Sequence, residues 1–303
     1  MRKQSEDAHG RWKAHIAVLL TNIFFGANFS AVQFIAKRGV GPFGLNVIRV
    51  GVCGILFWTL TLLFRQQILF QRAHFFRFLL CAITGIVINQ LLFIKGLTLT
   101  LSTHASLLIL VTPIFISLIA AWLGHERLTI YKLAGLALGI TGAVLLVIQK
   151  EPTGAAPNIL LGNILVILNA ISYAFYFVLV KPLMQAYRPM EVMRWLFTIG
   201  FFFMLPIGWS EFNSIPWLSL TTTDYLVLAT IVLFATFLAY LFNLYGITKL
   251  GASVTGAYIY TQPVFAGIVA VFVMHERITI PKLIAAGLIM TGVLLVGRRP
   301  RAS

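Results

Sequence analysis

The chain has little of what covers a water-soluble surface. Of its 303 residues only 10% are charged and 59% are hydrophobic, and the mean hydropathy is +0.93. A soluble domain carries about 25% charged residues, so a soluble fold of this size is excluded. Acidic residues are the scarcest charge, with eight Asp and Glu against 23 Lys and Arg. None of the eight falls in the middle of an apolar run. An intramembrane enzyme would need paired carboxylates, an HExxH helix or an acid-oriented Ser/His set there, and none is present. Cysteine is limited to Cys53 and Cys81, both inside apolar runs. Such thiols behave as small buried apolar groups, and no disulfide framework is implied.

What the chain does have is long apolar runs: Ile16–Ala36, Phe43–Phe64, Phe75–Ile94, Ala105–Leu123, Leu133–Ile148, Ile159–Val180, Trp195–Trp209, Tyr225–Tyr245, Ala252–Met274 and Leu283–Val296. Most approach or exceed the roughly 20 residues a helix needs to cross a bilayer. Two, in the 130s–140s and the 280s–290s, reach that length only with flanking Tyr131 or Pro281. Ten transmembrane helices are predicted. The first run follows a basic, polar stretch, lacks a small-residue cleavage site and exceeds a signal core, so it reads as a retained helix. The net charge of +15 sits in short connecting segments rather than in a patch, which argues for topology and against nucleic acid. With loops numbered alternately, one side holds 16 Lys and Arg and the other six, Arg49 lying within a run. That bias puts both termini in the cytoplasm, as for a multi-pass inner-membrane protein.

The chain also states one motif twice. His125-Glu126-Arg127-Leu128-Thr129-Ile130 returns 150 residues later as His275-Glu276-Arg277-Ile278-Thr279-Ile280. Aligned without gaps, Gly96–Val147 and Gly246–Gly297 share 17 of 52 positions. The period is too long for a solenoid and marks a duplicated half-protein. Gln149–Asn158, with Pro152, Gly154 and Pro157, divides residues 1–150 from 151–303. Five helices per half is an odd number, so the second half enters the membrane in the opposite sense. Inverted repeats place a site near the midplane where they meet. The repeated motif is a poor metal site, because adjacent His and Glu do not chelate from one helix face and no further ligands cluster nearby. It suits helix punctuation better: Thr129 and Thr279 are N-cap residues before apolar helices. Gly135, Gly139 and Gly142 have close-packing spacing, for the bundle or for a homodimer seam.

The residues quoted so far, with Phe25-Gly26-Ala27-Asn28, Arg49, Leu110-Val111-Thr112-Pro113-Ile114-Phe115 and Tyr260-Thr261-Gln262-Pro263, resemble the drug/metabolite transporter superfamily and its EamA-type permeases. The resemblance covers nearly the whole chain. It implies an all-α membrane protein of two inverted five-helix repeats that moves a small molecule by alternating access. It implies no substrate, since relatives export amino acids, other metabolites or drugs. Small relatives with four helices use an intramembrane carboxylate for proton coupling, and this chain has none.

Polar groups at membrane depth face the bundle interior or a cavity. His104, Leu108 and Thr112 fall on one helical stripe, and 150 residues on the same stripe carries Val254, Tyr258 and Gln262. Gln90 and Phe93 correspond in the same way to Tyr240 and Asn243. Helices three, four, eight and nine are therefore expected to line a central cavity, the alternative being hydrogen bonding between helices. Asn22 and Asn28 add polar groups from the first helix, and Asn169, Tyr173 and Tyr176 from the sixth. Arg49 lies about seven residues into the second helix. It either snorkels outward or meets backbone carbonyls or an anionic substrate group. His104 is the candidate proton carrier if transport is proton-coupled. The expected substrate is a small amino-acid-like or amphipathic metabolite. The competing functions are an intramembrane enzyme and a scaffold or channel without carrier activity. No cofactor or metal is expected.

Overall fold

The structure is a computed structural model. It describes residues 2–65, 68, 70–123, 130–148, 156–250, 255, 258–275 and 279–297, which hold helices and no strand. In chain order the helices are α1 (Trp12–Ala36), α2 (Pro42–Leu63), α3 (Arg72–Leu99), α4 (Ser102–Trp122), α5 (Ile130–Leu145), α6 (Ile159–Ala186), α7 (Pro189–Asn213), α8 (Thr222–Gly246), α9 (Tyr258–Val273) and α10 (Ile280–Gly292). Seven are long and apolar enough to cross a membrane, and α5, α9 and α10 are shorter apolar helices. Helix α9 joins the two short runs expected from sequence because its described part begins at Tyr258.

Polarity is distributed for lipid. Large apolar side chains such as Phe76, Trp122, Phe202 and Phe272 are exposed, while Asn46, Arg49, His104, Asn163, Asn169 and Arg194 are buried. An exposed apolar surface on this scale is a lipid-facing surface.

Local chemistry sets the helix ends. Asn158 Oδ1 accepts from Leu161 N–H at 3.1 Å and starts α6. Thr221 and Asp224 cap each other's backbone at the start of α8. The first copy of the repeated motif, apart from Ile130, lies outside the described residues, as do residues 276–278 of the second. What remains of the second copy punctuates helices. His275 takes a left-handed conformation (φ 56°) just past α9, and Leu283 N–H bonds to the Thr279 carbonyl as α10 begins.

Helix pairing repeats itself under a shift of half the chain. Helix α1 packs on α8 and α9, and its counterpart α6 packs on α3 and α4. Helix α2 packs on its own counterpart α7, and α5 on α10. In the α5–α10 pair, Gly142 faces Ala285 and Ile289, whereas Gly292 faces Gly135 and Gly139. The contacts are reciprocal and the two helices run antiparallel. A Cβ on Gly292 would sit 2.5 Å from the Gly135 oxygen, so the backbones meet directly. The glycine stripe of α5 is thus taken up inside the chain by α10. Helices α2 and α7 also run antiparallel, with Phe57 against Phe197 and Thr61 against Arg194.

Irregular backbone repeats as well. Helix α3 contains a π-helical segment, Ile83–Ile88, and α8 contains one over Thr230–Leu238. A 3₁₀ turn, Ile109–Val111, interrupts α4, and another, Tyr258–Thr261, opens α9. Each 3₁₀ turn precedes a proline, Pro113 or Pro263. Pro113 has no N–H for the Ile109 carbonyl, which instead accepts from the Thr112 N–H and from the Thr112 hydroxyl, the latter at 2.6 Å.

Candidate functional site

A cavity of about 100 Å³ is lined in part by the two 3₁₀ turns, through Ile109 and Ile259. One water needs roughly 10–15 Å³ by this measure, so the space suits several waters or one small organic molecule. Helix α1 contributes a single face, Thr21, Asn22, Phe25, Asn28 and Phe29, at helical spacing. Helix α6 contributes Asn169, Tyr173 and Phe177, each four residues from the last. Arg49 enters from α2, Asn89, Gln90 and Phe93 from α3, and Ile109 and Thr112 from α4. Tyr240 and Asn243 of α8, with Thr255, Ile259 and Gln262, close the opposite side. The walls are thus aromatic and amide-rich, and Arg49 is the one charged residue among them.

Several polar groups are locked in place. Gln262 Nε2 donates to Asn22 Oδ1 at 2.9 Å, and Asn22 Nδ2 donates to the Val18 carbonyl at 2.7 Å. Asn169 Nδ2 donates to the Asn89 carbonyl at 2.8 Å. Gln90 Nε2 donates to the Tyr240 hydroxyl at 3.2 Å, and these two residues are 150 apart. Repeat-equivalent residues of the two halves thus touch at the wall of the cavity. Other groups are buried without a partner: Asn28 Oδ1, Gln90 Oε1, Asn169 Oδ1, the Thr255 hydroxyl and Arg49 Nη1.

Of the residues expected at the site, Asn28, Arg49, Gln90, Thr112, Tyr173, Tyr240, Asn243 and Gln262 line this cavity. His104, Tyr176 and Tyr258 do not. His104 is fully buried and its Nδ1 pairs with Asn163 Nδ2 at 3.1 Å. Asn163 in turn accepts from the Thr100 hydroxyl at 2.6 Å. The 3₁₀ turn at Ile109–Val111 breaks the register that a continuous helix would give His104 and Thr112. Tyr258 sits in the equivalent turn and bonds through its hydroxyl to His15 Nδ1 at 2.8 Å. Tyr176 packs on Gly85, within the π segment of α3, and stacks on Tyr173. Arg49 is 2% exposed and does not snorkel.

Asn89, Phe25, Phe29, Phe177 and Thr255 were not among the residues expected. For Phe177 a signal exists: Asn169, Tyr173 and Phe177 form an i, i+4, i+8 stripe that excludes Tyr176. Adjacent Asn89 and Gln90 both reach the cavity just past the π turn of α3, and no periodicity announces that turn. Among the described residues no group of three His, Cys, Asp or Glu is placed to hold a metal ion.

A bundle of apolar helices, made of two like halves that enclose a polar chamber, defines an integral multi-pass membrane protein of the transporter class. The chain belongs to the EamA-like transporter family, whose model matches residues 12–148 and again 160–298. An uncharacterized transporter of Archaeoglobus fulgidus is 24% identical, covering 95% of this chain and 99% of its own. A probable terminal-alkyne amino-acid exporter of Streptantibioticus cattleyicolor is 28% identical, covering 95% of this chain and 94% of its own. A protein of known crystal structure shares the fold with a TM-score of 0.62 at 18% identity, covering 92% of this chain and 96% of that one.

Proposed function

We propose that the chain is a secondary transporter that carries a small amino-acid-like or amphipathic metabolite by alternating access. Its spans are ten, in two inverted five-helix repeats, with both termini in the cytoplasm of an inner-membrane protein. Inversion is supported by the antiparallel contact of repeat-equivalent helices at Gly142 and Gly292. Two equivalent helices that cross antiparallel are related by an axis perpendicular to them, which here lies in the membrane plane. The observation that carries the transport function is the polar cavity between the halves, marked by the Gln90–Tyr240 contact at its wall. A site shared by two rocking halves is exposed to one side and then the other. The amino-acid exporter among the relatives supports the substrate class, and the mixture of aromatic and amide walls fits a polar head with an apolar body.

The test is counterflow in proteoliposomes containing the purified protein. Saturable uptake of labelled L-phenylalanine or L-leucine, accelerated by unlabelled compound inside, is expected. Flux that rises linearly with concentration would indicate a channel. No flux of any amino acid, nucleoside, sugar or cationic drug would indicate a scaffold.

A further inference from the structure

A cation inside a dry, uncharged chamber is strongly disfavoured unless it is paired. No lining residue of the cavity is acidic. The protein engages the inner nitrogen of Arg49, whose Nε–H donates to Thr236 Oγ1 at 2.9 Å. That hydroxyl is itself oriented, because it donates its proton to the Ile231 carbonyl at 2.8 Å. Its lone pairs are thereby left for the arginine. Thr236 belongs to the π-helical segment of α8, and its bond reaches back five residues to Ile231. The guanidinium is thus pinned at one end, while Nη1 is buried with no partner.

Four groups on cavity-lining residues share that state: the amide oxygens Asn28 Oδ1, Gln90 Oε1 and Asn169 Oδ1, and the Thr255 hydroxyl. The orientation of Asn169 is fixed, since its Nδ2 donates to the Asn89 carbonyl, so an acceptor and not a donor is left over. One unpaired cationic donor, three unpaired amide oxygens and one hydroxyl describe a ligand in negative: an anion to accept from the arginine, and N–H or O–H groups to donate to the amides. Buried polar groups are otherwise almost always satisfied.

We infer that Arg49 is the carboxylate-binding residue of this cavity, that Thr236 is its positioning residue, and that the ligand is a small monocarboxylate with a hydrogen-bond donor beside the carboxylate. The assignment deepens the carrier function proposed above and rests on it. A planar guanidinium matches a carboxylate better than an ammonium does. A doubly charged phosphate would leave one charge uncompensated in the chamber. Arg49 belongs to the first half and Thr236 to the second, so a bound carboxylate would engage both.

The experiment measures thermal stabilisation of the purified full-length protein by matched probes: L-phenylalanine, L-phenylalaninamide and 3-phenylpropanoate, with the corresponding leucine set. The amide keeps the ammonium and loses the carboxylate; the plain acid does the reverse. Wild type is expected to bind each amino acid at least tenfold more tightly than its amide. Arg49→Gln is expected to weaken amino-acid binding about 10- to 100-fold and amide binding far less, so that the acid-to-amide ratio falls. Thr236→Val shifts the same ratio in the same direction, and Thr236→Ser restores it. A merely structural role would weaken acid and amide alike. Equal binding of acid and amide by wild type, no stabilisation by any of the acids, or an unchanged ratio in Arg49→Gln overturns the inference. If Arg49→Gln does not fold, Arg49→Lys and Thr236→Val decide by the same ratio. Counterflow of amides or neutral solutes without acid preference would leave the carrier standing and remove only the carboxylate subsite. Absence of counterflow for every class would remove the carrier itself.

Discussion

The α5–α10 seam and the central cavity are both places where equivalent parts of the two halves meet, and they are opposites. At the seam, glycines let backbones touch: a Cβ on Gly142 would lie 2.8 Å from the Ala285 oxygen. At the cavity, the facing equivalents are Gln90 and Tyr240, which are large and unlike. At the seam Gly142 and Gly292 bring backbones together, and at the cavity larger side chains leave space between the halves.

The largest expected effect breaks the closed side. Gly292→Val forces a side chain into the α5 backbone and should cost more than about 3 kcal/mol. Melting temperature and monodispersity on gel filtration read this directly. Gly287, on the same helix, has nothing within 4 Å of its missing Cβ. Gly287→Ala should therefore raise stability by about 0.5–1 kcal/mol. Equal destabilisation by both would mean that any added side chain on α10 is disruptive and that the seam contact at Gly292 is not special.

The α2–α7 interface comes next. Arg194 is fully buried and bonds to Thr61 Oγ1 at 3.1 Å. Its guanidinium lies 5.0 Å from the Trp58 ring centre and 5.7 Å from that of Trp195. Arg194→Ala removes both stacking contacts and leaves a void, for a loss of about 2–4 kcal/mol. The ratio of acid to amide binding should not move, because Arg194 is not among the cavity-lining residues. A smaller change tests the interrupted helix. Thr112→Val removes one of the two hydrogen bonds to the Ile109 carbonyl and leaves the one from the Thr112 N–H, at a cost of about 0.5–1.5 kcal/mol that Thr112→Ser should recover.

Much of this contrast was legible in the sequence, and the remainder was not for definite physical reasons. The duplication and the apolar runs showed in residue identities and periodicity. The glycines of α5 showed as spacing, though nothing in the spacing said that α10 would fill it. The cavity residues were legible mostly where the helix is regular, as for Gln90, Tyr240 and Asn243. His104 and Tyr258 were misassigned where the backbone departs from 3.6 residues per turn, and Tyr176, on regular α6, because the stripe at the cavity is Asn169, Tyr173 and Phe177. His104 and Tyr258 fall outside the cavity because a 3₁₀ turn follows the first and contains the second. Thr236 escaped notice because its repeat equivalent is Ile86 and its role depends on the π-helical segment around it. Such departures carry no residue pattern of their own and emerge only from packing.

The smallest expected change in stability is the sharpest probe of the open side. Arg49 and Arg194 are both buried and both hold nitrogens without a hydrogen-bond partner, yet Arg194 lies against two aromatic rings whereas Arg49 lines the cavity. If Arg49 is held for a ligand, the ligand-free protein carries a partly unpaired cation that its fold does not need. Replacing a buried charge with an apolar residue of similar size is often neutral or stabilising. Arg49→Met should therefore leave the melting temperature unchanged or raise stability by about 1 kcal/mol, while abolishing carboxylate-dependent counterflow. A loss of stability comparable to that of Arg194→Ala would show instead that Arg49 is a strut between α2 and α8. In that case both arginines would belong to the framework, and the open side of the molecule would have to find its ligand's charge elsewhere.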